Sequence, residues 1–154
     1  MAVAEARVGG VARLLGFAGL APAVAATILI ALGELDAAIV SVAYALLILS
    51  FLGGTWWGFA MHAPRHQAML AIVAVIPSLV AMALGAGVLM TQGSGWSLVA
   101  IGVALILTLA VDRWLVARGF APAGWMALRI PLSLGLGAVT IVAGALIGQA
   151  IGHP

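Results

Sequence analysis

Cysteine and lysine are both missing from this 154-residue chain, and charge of either sign is scarce. Without cysteine there can be no disulfide, no thiolate metal ligand and no cysteine nucleophile. Without lysine, all six basic residues are arginines, and four acidic residues oppose them. Only 6% of the residues are charged, against about a quarter in soluble domains. The isoelectric point of about 10.6 reflects these few arginines, not a basic face. No basic run of the kind that tracks a phosphate backbone exists, so nucleic acid is not an expected partner. No polar stretch is long enough to build a soluble domain.

What the chain has instead is apolar surface. Hydrophobic residues make up 66% of it, and the mean hydropathy is +1.31. Several runs reach the ~20 residues that cross a ~30 Å hydrocarbon core. The runs are continuously apolar, whereas strands of a transmembrane barrel alternate. The pattern therefore predicts an all-α, polytopic helix bundle, one domain over residues 1–154. Its five transmembrane spans fall at about 14–32, 38–61, 68–90, 96–117 and 125–150. The short polar pieces between them include a tight acidic link, Gly33 to Asp36, and a flexible turn over 91–95. Arg7 and Arg13 precede the first run, and Ala23-Val24-Ala25 imitates a signal-peptidase site. Apolarity continues to Leu32, longer than a signal-peptide core, so an uncleaved first span is expected.

Five spans place Arg7, Arg13, Arg65, Arg113, Arg118 and Arg129 towards one side, and Glu34 and Asp36 on the other. The excess of arginine marks the cytoplasmic side. The expectation is a multi-pass protein of a bacterial cytoplasmic (inner) membrane, with the N-terminus cytoplasmic and the C-terminus outside. An odd span number also argues against a simple inverted-repeat transporter.

Span two is unusually decorated. Ser50, Gly54 and Gly58 are spaced by four and share a helix face, and Gly53 widens it. Gly144 and Gly148 form a similar ladder in span five. Small residues at this spacing let two helix backbones approach closely. The favoured reading is packing within the chain. The alternatives are a homo-oligomer seam, a seam with another membrane protein, or a flat ligand on the glycine surface. Trp56, Trp57, Trp96, Trp114 and Trp125 all sit near span ends, where indole rings anchor at the bilayer interface. Trp56 and Trp57 point about 100° apart on a helix, so one faces lipid and the other inward. The reading gives the inward place to Trp57.

Asp112 and Arg129 lie inside spans four and five at similar depth. An ionisable residue within a membrane is costly and takes a partner. An Asp112–Arg129 ion pair is predicted, with Arg113 reaching out to the interface. The pair serves either as a clamp or, with Trp57, as the wall of a pocket open to the cytoplasm. One carboxylate without a second titratable group at mid-membrane is a poor proton relay. Pro22, Pro77 and Pro131 free backbone carbonyls, and Ser78 and Ser133 stand close enough to two of them to help. His62 and His66 are four apart, but Pro64 separates them and no third ligand is near, so no metal is expected. Gly93-Ser94-Gly95 lacks the context of a nucleophile elbow. No catalytic residue and no cofactor is assigned.

Several stretches resemble one family. The run ILSFLGGTWWG over 48–58 resembles the signature of an uncharacterised bacterial and mitochondrial membrane-protein family that includes mitochondrial transmembrane protein 69. LGFAGLAP over 15–22, IPSL over 76–79, Asp112 with Arg113, and LRIPL over 128–132 follow in order, so the resemblance covers nearly the whole chain. It implies a multi-span fold and no established activity. The translocator-protein family, which binds porphyrins and sterols, is similar in size and span number, but its Pro-Pro and aromatic motif after the first helix is missing here. The function expected from all this is a non-enzymatic accessory or assembly module, in contact with the lipid bilayer and packed against another membrane component. The alternative is a binder or carrier of a small lipophilic or anionic molecule between spans two, four and five.

Overall fold

Inside a bilayer no water is present to satisfy backbone N–H and C=O groups, so an apolar run must close its hydrogen bonds within itself. The computed structural model describes residues 9–90, 95–122 and 124–152, and among these it contains helices and no strand. In chain order they are α1 (Gly10–Ala18), α2 (Ala21–Ala31), α3 (Ala37–Met61), α4 (Gln67–Met90), α5 (Gly95–Ala117) and α6 (Trp125–Gly152). The α1–α2 pair and each of the other four are long and apolar enough to cross a membrane, giving five candidate spans. The chain is a multi-pass membrane protein. The N-terminal tail with Glu5 and Arg7, most of the 91–95 turn including Ser94, and His153 lie outside the described residues.

The first span is not one helix. It breaks at Gly19 and Leu20, and Pro22 falls in the first turn of α2, where its missing N–H costs nothing. The Tyr44 hydroxyl of α3 donates to the Gly19 carbonyl exposed by the break. Thr27 of α2 donates to Ala23 O at 2.9 Å and reaches Val139 O of α6 at 3.4 Å. The ends of α2 and α5 close alike. Gly33 and Gly119 adopt positive φ (96° and 73°), which glycine alone enters without strain. There Glu34 N bonds Leu29 O and Phe120 N bonds Leu115 O, each at 3.0 Å or less, satisfying late carbonyls of the helix.

Around the bundle the ring closes: α2 on α3, α3 on α4, α4 on α5, α5 on α6 and α6 on α2, with α3 also reaching α5 and α6 and α1 resting on α6. Glycine sets the two tightest crossings. A Cβ on Gly102 would lie 2.7 Å from Gly137 O, and one on Gly137 would lie 2.8 Å from Gly102 O. Two turns along, Gly95 meets the Gly144 carbonyl. Gly53 of α3 meets the Ala74 carbonyl of α4 in the same way, just before Pro77. Three apolar clusters stack along the interior. One around Leu98 and Ile147 lies at the end of the acidic link, one around Leu49, Ile101 and Leu105 fills the middle, and one around Trp56, Leu70 and Leu115 closes the end carrying the arginines.

Candidate functional site

The buried stripe of α3 runs Ala37, Ser41, Ala45, Leu49, Leu52, Gly53, Trp56, Ala60. It carries Trp56 inward. On α5 the stripe Ile101, Leu105, Thr108, Asp112, Leu115 carries two polar side chains inward, and on α6 Arg129 and Ser133 lead the corresponding stripe. The Gly102–Gly137 crossing brings α5 and α6 close enough for these to meet.

They meet on Asp112. Its side chain is 0% exposed. Oδ1 accepts from Trp56 Nε1 at 2.9 Å and from Trp125 Nε1 at 2.8 Å. Oδ2 accepts from Arg129 Nε at 2.8 Å, forming an ion pair with a guanidinium that is itself buried. Arg129 also donates through a terminal nitrogen to Thr108 Oγ1 at 3.2 Å, and Thr108 passes its own proton to Leu105 O at 2.6 Å. The knot thus ties α3, α5 and α6 through one carboxylate. A carboxylate offers about four acceptor sites, and three are taken. Opposite charges cancel, so the cluster places no net charge in the apolar interior, which is the condition for burying either group.

An aromatic plug seals it at the arginine end. Phe59 meets Trp125 edge-on with centroids 5.2 Å apart, and Phe120 lies against both His66 and Trp114. Arg118 and Arg129 sit over the Trp114 and Trp125 rings at 5.8 and 6.0 Å. Among the described residues, none of the main cavities is lined by Trp57 together with Asp112 and Arg129. Trp57 is 45% exposed on the outside of α3, and its neighbour Trp56, 2% exposed, takes the inward place. The reason is rotation about the α3 axis: one residue turns a side chain by about 100°, and the stripe through Gly53 faces the bundle while that through Gly54 does not.

The same rotation sorts the small residues. Gly53 packs, whereas a side chain on Gly54 or Gly58 would meet nothing within 4 Å. Ser50 shares a hydrogen bond with Ser78 of α4 at 3.0 Å, on the outer surface. Gly144 packs on Gly95, and Gly148 lends its backbone to the same crossing although a side chain there would find open space. Sequence reasoning missed Trp56 and Trp125 as donors to Asp112, and missed Gly95, Gly102 and Gly137 as the α5–α6 seam. A signal existed for the first: a buried carboxylate needs several donors, and both indoles lie at its depth. Ser78 and Ser133 do not relieve the prolines. Ser78 pairs with Ser50, and Ser133 has no partner among the described residues.

Two apolar cavities flank the knot. One, about 220 Å³, lies between α3, α4 and α5 beside Trp56 and Thr108. The other, about 210 Å³, lies under the α1–α2 break against α3, α5 and α6, with Arg129 and Ser133 in its wall.

One family's sequence model, described as Protein of unknown function (DUF3429), matches residues 8–145. No curated protein and no solved structure matches the chain.

Proposed function

The chain belongs to the DUF3429 family, and from that premise we propose that it is a non-enzymatic accessory or assembly module of a bacterial inner membrane, docking a second membrane helix on the outer face of α3. The observation that carries the reading is the pair Gly54 and Gly58. They are spaced by one turn, they face open space, and they are turned about 100–140° from Gly53, which makes the crossing with α4. Glycine weakens a helix unless something approaches its backbone, and in lipid a close approach by another helix is what small residues at this spacing serve. Exposed Trp57 and Phe51 border the face and would flank the incoming helix. The Asp112 knot holds α3 in register for this contact. Its carboxylate is engaged and shielded, and the Thr108 hydroxyl in the same knot is bonded on both sides, which supports a role without chemistry. The arginine-bearing end faces the cytoplasm in this reading, following the positive-inside rule.

The natural chain has no cysteine, so single-cysteine variants report unambiguously. Gly54→Cys and Gly58→Cys, each labelled with benzophenone maleimide and illuminated in native membranes, should each give one defined cross-linked product, and Met82→Cys on the lipid face of α4 should give none. Gly54→Leu should abolish the co-purifying species. Unchanged co-purification in Gly54→Leu together with no defined product from either glycine position would overturn the reading.

A further inference from the structure

Ser133 is the one buried side-chain nitrogen or oxygen without a hydrogen-bond partner among the described residues. It is 3% exposed and lines the cavity under the α1–α2 break. Its solitude is unusual for this chain. Thr27, Thr55, Thr108 and Thr140 all return their protons to a carbonyl three or four residues back in their own helix. A hydroxyl buried without a partner is destabilising, a cost removed when a ligand oxygen accepts from it. Arg129, one turn earlier on α6, lines the same cavity. The remaining wall is apolar, including Gly16, Phe51, Leu52, Leu105 and Leu136. Leu15 and Phe51 stand exposed at the rim, so the opening is lateral, towards lipid.

We propose that this cavity is a binding site for the neutral carbonyl head of a bilayer-soluble amphiphile, which accepts a hydrogen bond from Ser133 on the wall that Arg129 shares. Charge selects the head. Asp112 already neutralises Arg129 at 2.8 Å, so a carboxylate or phosphate would bring an uncompensated negative charge into an apolar wall, whereas a carbonyl brings none. Size selects the mode of binding. At about 210 Å³ the cavity is smaller than the ~300–1,000 Å³ that enclose a drug-sized ligand, so it holds the head while the tail leaves through the lateral opening. The cavity on the other side of the knot offers no such head site: its one hydroxyl, Thr108, is already bonded on both sides. The proposal rests on Ser133 and its cavity and not on the glycine face of α3, although Phe51 borders both.

A quinone and a fatty ester present the same carbonyl, and the test separates them. The full chain is purified in dodecyl maltoside, which has no carbonyl, and titrated with decylbenzoquinone, methyl laurate or laurate, with native mass spectrometry as the readout. Saturable binding of one molecule of a neutral probe is expected, and which neutral probe binds identifies the source. Ser133→Ala should weaken that binding about five- to tenfold, the worth of one hydrogen bond, while leaving the unfolding temperature equal or higher. Gly16→Leu, which projects a side chain towards Leu132 across the cavity, should abolish binding. The proposal is overturned if neither neutral probe binds, if laurate binds more tightly than both, or if Ser133→Ala binds as the natural chain does.

Discussion

At Asp112 one atom, Oδ1, serves two indoles from helices far apart in sequence, while Oδ2 holds Arg129. Removing one partner of a buried ion pair leaves the other charge uncompensated, which costs about 3–5 kcal/mol. Asp112→Asn should therefore lower the thermal unfolding temperature in detergent sharply. Asp112→Asn with Arg129→Gln should recover a large part of the loss, because no charge is then left unpaired, and the departure from additivity measures the coupling. The two adjacent tryptophans give a finer contrast. Trp56→Phe deletes a donor to a buried carboxylate, worth about 1.5–3 kcal/mol, while Trp57→Phe changes a ring at the lipid surface and should be close to neutral. The need for an Asp112–Arg129 contact was legible in the sequence, since both residues are ionisable, at one depth and on consecutive antiparallel spans. The tryptophan was not, because Trp56 and Trp57 are chemically identical and differ only in azimuth.

Azimuth is also what separates the glycines at the level of the helix. In a soluble helix the polar face tells which side is buried. In a membrane helix the lipid face is as apolar as the core, so that contrast vanishes and only the placing of small residues remains. The span positions could be read because lipid demands long continuous apolar runs, and five such spans form among the described residues. The face of α3 was harder. Ser50, Gly54 and Gly58 form the more conspicuous ladder, but Ala37, Ser41, Ala45 and Gly53 form the one that packs. Adjacent substitutions test this. Gly53→Ala would thrust a Cβ into the Ala74 carbonyl, and Gly102→Ala would place one 2.7 Å from both Gly137 O and Ile141 Cγ1. Each should destabilise the purified chain by about 1–3 kcal/mol, the usual cost of overpacking. Gly54→Ala meets nothing and should leave the unfolding temperature of the purified chain unchanged, which circular dichroism melts of the three variants would compare directly.

For the molecule as a whole, charge is arranged by side, not by site. Arg65, Arg113 and Arg118 are exposed at one end of the bundle, the end that also holds the Asp112 knot, and Glu34 and Asp36 are exposed at the other. Among the described residues the only charges taken inside, Asp112 and Arg129, cancel. A cancelled pair feels little force from a transmembrane potential, whereas each unpaired charge moved across 100 mV is worth about 2.3 kcal/mol. The exposed arginines are therefore free to set orientation without the buried pair opposing them, and the positive-inside rule predicts that they stay in the cytoplasm. Single cysteines read the outcome. Leu35→Cys, in the link between α2 and α3, should react with a membrane-impermeant maleimide in intact spheroplasts. His66→Cys, in the link between α3 and α4, should react only after permeabilisation. Labelling in the reverse pattern would place the arginines outside and show that the apolar helices, not the flanking charges, govern how this chain inserts.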